Sequence, residues 1–370
     1  MERCRAGPGR HAAASAAPST LGPALHAAGR LSQHVRAVIA GAGPIGLACA
    51  ISAKRRGIDP LVIDAGAIAH AIVRYPIGMI FFTTPERLEI GGHPLVCAGP
   101  KATREEALKY YRGVARAEQL RVRTYTRLTG ARREDGRIVC DLATRLGPET
   151  ITCDTLVLAT GYFDHPNRLG VPGEELPHVH SYFDEAHRAA GLDVVVVGGK
   201  NSAVEAALQL FRAGARTTIV YRRAAWPPSV KYWLRPDLEN RIAAGEIAAR
   251  LETQLTAITP RDVAVRGPRG EERLPADRVY PLIGFHPDLD LLRRIGIAFD
   301  AQSGRPEVDP DTLATSVPGV HVAGSVTAGR QISEIFIENG RCDGDKIFGT
   351  SAERARARAA YANIARPTGE

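Results

Sequence analysis

The sequence predicts an α/β fold made of two Rossmann-like three-layer ββα domains, one inserted in the other. Three observations lead to this prediction. A strand, glycine turn and helix pattern begins at Val35, the same pattern begins again at Asp193, and a late apolar strand, Val320–Ala323, follows the second pattern. Two such patterns indicate two nucleotide-binding units. We expect the late strand to return to the first unit, so that the second unit is an insertion.

The first pattern is typical of a dinucleotide-binding turn. An apolar run ends in Gly-x-Gly-x-x-Gly at positions 41–46, and a helical pattern follows over 47–56. The first glycine permits the tight turn, the second lets a pyrophosphate approach the backbone, and the third lets the helix pack closely on the strand. The N–H groups of the helix N-terminus then face the phosphates. The residues expected to contact the nucleotide here are Gly41, Gly43, Pro44, Ile45 and Gly46.

An acidic residue at the end of the next strand supports this prediction. The apolar run 61–63 ends in Asp64, roughly 20 residues beyond the glycine turn. Its carboxylate can accept hydrogen bonds from a ribose diol. The sequence therefore predicts dinucleotide binding at this end of the chain.

The region between the two glycine turns continues the first domain. A capping box at Thr103 and Glu106 opens a helix that is expected to reach about Ala117. Turn sequences separate predicted strands at 121–125, 138–143 and 150–153. The apolar run 155–159 is expected to return to the buried parallel sheet, and it leads into Thr160-Gly161.

The second pattern predicts a different nucleotide. Instead of an acidic residue, its second strand leads into Arg222-Arg223. Guanidinium groups bind a 2′-phosphate that a carboxylate would repel, which favours NADPH over NADH, although an ordinary basic strand end is the alternative. Lys200 stands where a GxGxxA pattern has its second glycine. The residues expected to contact this nucleotide are Gly198, Gly199, Lys200, Asn201, Ser202, Arg222 and Arg223.

Charge and cysteine content argue against several functions. The net charge of +8 lies mostly at the two ends, with +3 in residues 1–34 and +2 in residues 351–370, so we expect no nucleic-acid partner. No apolar run approaches the roughly 20 residues of a membrane helix, so no membrane partner is expected. The six cysteines contain no C-x-x-C pair, which argues against a dithiol or metal site and fits a reducing cytoplasm.

Several sequence strings resemble one family of flavoproteins. The chain is similar to the two-dinucleotide-binding-domain flavoproteins over about residues 35–355, and within them to the bacillithiol disulfide reductases, the YpdA type of thioredoxin reductase-like enzyme. The strings that carry the resemblance are Tyr75-Pro76, Phe81-Phe82, 88–91, 159–162, 198–203 and 335–340. The resemblance implies FAD in the first domain, NADPH in the second, and NADPH-dependent reduction of a low-molecular-weight disulfide in the cytoplasm.

The resemblance also implies domain limits and further site residues. The FAD-binding domain would comprise 35–165 and 284–355, and the NADPH-binding domain 166–283, with a C-terminal tail at 356–370. Independently of the resemblance, residues 1–34 are rich in Ala, Gly, Pro and Arg and lack periodicity, which predicts a disordered extension; an organelle transit peptide and a misplaced start are the alternatives. Thr160 and Gly161 would lie near the flavin at the domain crossing. Gly324 and Ser325 would lie near the ribityl chain, and Gln331 would stand at a helix start that faces the flavin pyrimidine.

The chain departs from the family pattern at three places. The stretch 177–183 contains no C-x-x-C, which makes protein thioredoxin an unexpected substrate. Ile45 stands where the YpdA type has a single cysteine in the first glycine turn, so a relay through that thiol is impossible here. Ser325 stands where many relatives have an aspartate that binds the ribityl chain, which predicts a lower FAD affinity unless backbone groups compensate.

The catalytic residues and the electron acceptor stay open at this point. His180, in the crossover between the domains, and Cys49, one turn beyond Ile45, are weak catalytic candidates; a solvated loop histidine and a buried core thiol are the alternatives. The partner is expected to be a small-molecule disulfide or a redox carrier, and the oligomeric state stays open, with a homo-oligomer as one candidate. The rival functions are a ferredoxin or flavodoxin–NADP reductase, a flavin monooxygenase, and a non-enzymatic NADPH sensor.

Overall fold

The computed structural model describes residues 33–331 and 334–363, so the predicted extension at 1–34 lies almost wholly outside the described residues. The strands are β1 (His34–Ala40), β2 (Pro60–Ile63), β3 (Arg121–Arg123), β4 (Thr126–Glu134), β5 (Arg137–Thr144), β6 (Gly147–Leu158), β7 (Asp193–Val197), β8 (Arg216–Val220), β9 (Ala248–Arg250), β10 (Gln254–Ile258), β11 (Asp262–Gly267), β12 (Gly270–Pro275), β13 (Arg278–Pro281) and β14 (Val320–Val322).

The α-helices are α1 (Pro44–Lys54), α2 (His70–Val73), α3 (Pro85–Leu88), α4 (Arg104–Ala117), α5 (Asn201–Arg212), α6 (Arg235–Ala243), α7 (Leu289–Ile295), α8 (Ile337–Gly340), α9 (Asp343–Phe348) and α10 (Ser351–Asn363). Two 3-10 helices span His187–Ala189 and Gly324–Ala328. Helix α10 covers the first part of the range 356–370 predicted as a tail, and residues 364–370 lie outside the described part. No helix described here is both long and apolar enough to cross a membrane.

The first lobe is built on a seven-stranded sheet with the order β3-β2-β1-β6-β5-β4, and β14 also pairs with β6. Strands β1, β2, β3 and β14 are parallel to their neighbours, whereas β4, β5 and the first half of β6 form an antiparallel extension. The two central strands are buried on both faces, as expected for parallel strands. Ile39 and Val157 join a core that contains α1 and α4, whereas Val38 and Leu156 join the core on the opposite face, with α7.

The second lobe interrupts the first along the chain. It contains a parallel four-stranded sheet, β13-β7-β8-β9, and an antiparallel three-stranded sheet, β10-β11-β12. Its valine-rich strand β7 is buried against α5 on one face and against the three-stranded sheet on the other. Because β14 pairs with β6 after this lobe is complete, the predicted fold class, with one unit inserted in the other, is confirmed.

The structure corrects two details of the predicted strands. The separate strands at 150–153 and 155–159 are one strand, β6, which pairs with β5 through its first half and with β1 through its second half. No turn residue separates the two halves, so the chain continues straight through Asp154. Strand β4 was not predicted, because its sequence is rich in arginine and threonine and shows no strong apolar alternation.

Candidate functional site

In the first glycine turn, a side chain at Gly41 or Gly46 would clash with other protein atoms, whereas a side chain at Gly43 would not. Gly41 has a φ of +115°, and a Cβ there would lie 2.2 Å from the carbonyl oxygen of Ala159. A Cβ on Gly46 would lie 1.9 Å from the carbonyl oxygen of Gly41. A Cβ on Gly43 would meet no atom within 4 Å. Gly43 therefore borders open space at the N-terminus of α1, where a phosphate can approach the unpaired N–H groups.

Asp64 links the end of β2 to this turn. Its Oδ2 accepts a hydrogen bond from the N–H of Ala42 at 2.7 Å, and its Oδ1 accepts one from the N–H of Gly66 at 2.7 Å. Burial raises the pKa of Asp64, and the two backbone hydrogen bonds oppose that shift. A carboxylate offers about four acceptor positions, so two of them stay available for ribose hydroxyls.

A cavity brings four of the predicted residues of the first lobe together. It is lined by Gly41 and Asp64 and also by Thr160 and Gly161, which follow β6. Seven of the other lining residues match no sequence motif, and only the fold places them at this cavity. These further residues are Thr126, Arg127, Leu128, Asp164, His165, Asp288 and Leu291.

The turn after β6 meets the turn after β14. A Cβ on Gly161 would lie 3.7 Å from the Oγ of Ser325, so the two predicted positions are neighbours. The adjacent Gly324 donates its N–H to the Oδ2 of Asp343 at 2.8 Å. Burial raises the pKa of Asp343 to about 6, although the ammonium of Lys346, 3.7 Å away, opposes the shift. Asp343 was missed by the motif analysis because it lies about 20 residues beyond the β14 turn and fits no motif.

Ile45 packs closely against the C-terminal part of the first lobe. A Cβ on Gly324 would lie 2.7 Å from the Cδ1 of Ile45, and a Cβ on Gly340 would lie 2.6 Å from the same atom. The side chain is thus wedged between two glycines from the C-terminal part of the first lobe. It is an apolar packing residue at the glycine turn and offers no redox chemistry.

The described cysteines do not supply a reactive thiol at this site. Burial raises the pKa of Cys49 well above its usual value, and Asp343 and Asp345 raise it further. Burial also raises the pKa of Cys97 and of Cys342. A reactive cysteine has a low pKa and solvent access, which Cys49 lacks. In the same described part of the chain, no three His, Cys, Asp or Glu side chains lie close enough to hold a metal ion.

The second glycine turn is shaped by the packing of its own lobe. Gly198 has a φ of +143°, and a Cβ there would lie 2.5 Å from the carbonyl oxygen of Leu282. A Cβ on Gly199 would lie 2.4 Å from the ring of Tyr221, which stacks on Trp226. Both glycines are therefore needed for the turn itself. Lys200, which caps α5, has extended backbone and an exposed side chain, so it fits the position without a glycine.

The side chain of Asn201 is committed to a neighbouring loop. Its Nδ2 donates to the carbonyl oxygen of Ser229 at 3.1 Å, and its Oδ1 accepts from the N–H of Lys231 at 2.9 Å. The backbone N–H of Asn201, in the first turn of α5, takes no part in these two hydrogen bonds. Ser202, in the same turn, is exposed. The N-terminus of α5 thus offers backbone donors and one hydroxyl to an anion.

Arg222 and Arg223 follow β8 with both side chains exposed. Within residues 33–331 and 334–363, neither guanidinium has a carboxylate partner, whereas most other arginines of this lobe do. Two unpaired guanidinium groups at the carboxyl end of a parallel strand fit a phosphate monoester.

The remaining candidates lie elsewhere. His180 pairs through its backbone with Val279 of β13, its ring lies 5.7 Å from that of Tyr280, and burial and then Arg278 lower its pKa. It does not line the cavity of the first lobe. Gln331 is exposed in a turn after the 3-10 helix. The helix predicted to open near Gln331 begins instead at Ile337, because the chain first bends after the 3-10 helix.

Comparisons with known proteins agree with this geometry. The family model for pyridine nucleotide-disulphide oxidoreductase matches residues 38–324. The chain is 40% identical to the bacilliredoxin reductase Bdr of Bacillus subtilis over 86% of this chain and 98% of that protein. It is 31% identical to a ferredoxin–NADP reductase of Ignicoccus hospitalis over 79% of this chain and 90% of that protein.

A solved structure shows the same relationship. The bacillithiol disulfide reductase Bdr (YpdA) from Bacillus cereus superimposes with a TM-score of 0.84 at 38% identity, over 88% of this chain and 100% of that chain. The predicted FAD and NADPH cofactors and the predicted class, an NADPH-dependent flavoprotein oxidoreductase, are confirmed by these relatives. The chain therefore belongs to the pyridine nucleotide-disulphide oxidoreductase family.

Proposed function

We propose that this protein uses NADPH to reduce a low-molecular-weight disulfide of the bacillithiol type, without a redox-active cysteine of its own. The observation that carries the proposal is the likeness to the Bdr of Bacillus subtilis over 98% of that protein's length. The two nucleotide turns at Gly41 and Gly198 support it, because a disulfide reductase of this kind needs both cofactors. The chemistry supplied by the bound cofactors is hydride transfer between nicotinamide and flavin.

The first lobe would hold the FAD, in a domain comprising 35–165 and 284–355. The open space beside Gly43 fits the pyrophosphate, and the free acceptor positions of Asp64 fit the adenosine ribose. The neighbouring turns at Gly161 and Ser325 would flank the flavin half. Ser325 is shorter than the aspartate of relatives and uncharged, so the backbone held by Asp343 would carry more of the binding here.

The second lobe would hold the NADPH, in a domain comprising 166–283. The α5 N-terminus with Ser202 would bind the pyrophosphate, and Arg222 and Arg223 would bind the 2′-phosphate. The exposed side chain of Lys200 would add a positive charge opposite the pyrophosphate. No acidic residue directly follows β8. Since a carboxylate there would repel a 2′-phosphate, this supports the assignment of NADPH to the second lobe.

Electrons would leave the flavin site directly for the acceptor. Ile45 offers no thiol, and the buried Cys49 is shielded from solvent. A cytoplasmic location is part of the proposal, and it is supported by the five free cysteines of the described chain, since reducing compartments keep thiols unpaired. Assembly as a homo-oligomer stays a prediction that sedimentation of the purified protein would test.

The proposal is tested by anaerobic reduction of the purified flavoprotein with NADPH, followed by a panel of acceptors. We expect flavin bleaching and then reoxidation by bacillithiol disulfide. Reoxidation by ferredoxin alone would select the second candidate, a ferredoxin–NADP reductase. Such an enzyme needs no redox cysteine, and this chain is similar to one from Ignicoccus hospitalis over 90% of that protein's length. A colourless protein that takes up no flavin would refute both. Likeness to flavin monooxygenase structures, at 21–22% identity, concerns the fold alone.

A further inference from the structure

Two tyrosines, Tyr75 and Tyr162, lie where the two lobes are connected, and we call them the phenol pair. Tyr162 directly follows Gly161, and Tyr75 follows helix α2. The ring of Phe163 lies between them, with its centroid 5.1 Å from that of Tyr75 and 6.4 Å from that of Tyr162. The Phe163 centroid is also 4.3 Å from that of Phe285, on the segment that returns to the first lobe. The phenol pair therefore belongs to one cluster of rings at this junction.

The hydroxyls of the phenol pair have no protein partner. Both side chains are half-buried, yet within residues 33–331 and 334–363 neither hydroxyl makes a hydrogen bond. By contrast, the hydroxyl of Tyr111 donates to the carbonyl oxygen of Leu88 at 2.9 Å, and that of Tyr182 donates to the carbonyl oxygen of Phe163 at 2.7 Å. Tyrosine hydroxyls that are withdrawn from water usually find a partner. Two unpartnered hydroxyls in one ring cluster are therefore available to a ligand.

The phenol pair is uncharged at physiological pH. Burial raises the pKa of Tyr75, and the nearby Tyr162 and Glu338 raise it further. Burial also raises the pKa of Tyr162. Each hydroxyl therefore keeps its proton and can donate it in a hydrogen bond.

The phenol pair also borders the segments proposed to hold the flavin half of FAD. Gly161 precedes one phenol, and a Cβ on Gly161 would lie 3.7 Å from the Oγ of Ser325. Glu338, which raises the pKa of the other phenol, belongs to helix α8, and this helix packs on Ile45 of the first glycine turn. A disulfide bound beside the phenol pair would thus lie close to the proposed flavin site, and it would need no protein thiol to receive electrons.

The charges around the phenol pair select its ligand. Glu338 would repel a group that is always negative, and the guanidinium of Arg74, next to Tyr75 in the chain, is already paired with Asp164 at 3.1 Å. Uncharged donors in such a place favour a group that is neutral when it binds and becomes negative during the reaction. The sulfur atoms of a disulfide meet this condition, because cleavage of the S–S bond releases a thiolate.

We propose that Tyr75 and Tyr162 donate hydrogen bonds to the sulfur atom that becomes a thiolate when the acceptor disulfide is reduced. This inference rests on the proposed function and assigns side chains to its acceptor half. In the overall reaction the S–S bond breaks, NADPH is oxidised to NADP⁺, and the hydride of NADPH and one proton from solvent become the hydrogens of the two thiols. The phenol pair stabilises the second sulfur as a thiolate until it takes up that proton.

The first test compares two variants of the flavin-loaded enzyme. The pair variant is Tyr75→Phe with Tyr162→Phe, which keeps both rings, and the matched control is Tyr232→Phe, at a tyrosine of the second lobe that is 75% exposed. For the pair variant alone, kcat/KM for bacillithiol disulfide should fall about tenfold or more, because hydrogen bonds to a charged sulfur are lost. Turnover of ferricyanide, whose reduction releases no thiolate, should not change. An equal loss with both acceptors, or no loss with the disulfide, would overturn the proposal.

Two properties of the bound flavin show whether the phenols contact the cofactor instead of the acceptor. The dissociation constant of FAD and the reduction potential of the bound flavin should be the same in the pair variant and in the wild type. Weaker FAD binding or a more negative potential would assign the phenols to the flavin and would refute their assignment to the disulfide. The single variants Tyr75→Phe and Tyr162→Phe should each show part of the loss at the wild-type Tm, and a loss confined to variants of lowered Tm would also count against the proposal.

A titration without turnover separates failure of this inference from failure of the proposed function. Bacillithiol is added to the oxidised flavoprotein at increasing pH, and a thiolate bound beside the flavin is detected by its charge-transfer absorbance. The pH midpoint of this absorbance should be about one unit higher in the pair variant than in the wild type and the Tyr232→Phe control, since a tenfold loss of thiolate binding equals one pKa unit. A wild type that shows this shift but reduces no disulfide would refute the proposed function alone. An equal midpoint in all three proteins, or no absorbance band in the wild type, would refute the role of the phenol pair.

Discussion

Substitution of Gly43 by alanine separates ligand binding from folding at the first nucleotide turn. Gly43 has φ −73° and ψ 175°, which any residue adopts, and its added Cβ would meet no protein atom within 4 Å. The substituted methyl group would instead occupy the space proposed for the FAD pyrophosphate. We therefore expect the variant to fold normally and to bind FAD poorly.

The magnitudes follow from the same geometry. Alanine is a worse N-cap than glycine, but it also lowers the entropy of the unfolded chain. The two effects oppose each other, so the free energy of unfolding of the apoprotein should change by less than about 1 kcal/mol. Forcing a methyl group into a filled site costs about 1–3 kcal/mol, which weakens FAD binding about 5- to 150-fold. Gly41→Ala is the contrasting variant, because its φ of +115° and the 2.2 Å approach to Ala159 should destabilise the apoprotein by about 2–5 kcal/mol.

The assay uses flavin-free protein. Urea unfolding gives the stability of the apoprotein, and quenching of flavin fluorescence on titration gives the dissociation constant of FAD. If Gly43→Ala binds FAD as tightly as the wild type, the pyrophosphate does not lie beside Gly43 and the proposed site is wrong. If the same variant unfolds as easily as Gly41→Ala, the space beside Gly43 is not open.

Three further outcomes are expected. Arg222→Ala and Arg223→Ala should each raise the KM for NADPH about tenfold or more, since a charged hydrogen bond contributes about 1.5–3 kcal/mol. The KM for NADH, which lacks the 2′-phosphate, should not change. Steady-state kinetics that show equal effects on both nucleotides would contradict this prediction. Between about pH 4 and pH 7 Asp343 binds more protons in the native state than in the unfolded state, because burial raises its pKa from 3.8 to about 6. Stability should therefore fall by up to about 3 kcal/mol as pH rises through this window, and urea unfolding of Asp343→Asn, whose side chain does not titrate, should show a curve flatter by that amount. Cys49→Ala should keep the NADPH-dependent turnover of the wild type, since its thiol is buried, and a large loss of turnover would show that the thiol takes part.

Most of the fold could be predicted because its signals are local. The glycine turns after β1 and β7 follow apolar strands and precede helices, a buried apolar one after β1 and an amphipathic one after β7, so each can be recognised from neighbouring residues alone. The same holds for the capping box at Thr103, which the structure contains as predicted. Strand β4 was not predicted, because only a minority of its side chains are buried. The predicted break within β6 was wrong, because an exposed residue such as Asp154 does not interrupt the backbone hydrogen bonds between strands.

The amino-acid sequence by itself determined where the two glycine turns lie and which charges follow each strand, since the glycine positions, Asp64 and the two arginines after β8 are read directly from their order. Only the tertiary structure decided what those positions meet. Ile45 is wedged against Gly324 and Gly340, Asp343 supports the turn at Gly324, and Phe82 contacts Trp233 from the other lobe. The physical reason is that these contacts join segments far apart in the chain, and side-chain packing across such distances leaves no periodic or local trace in the order of residues.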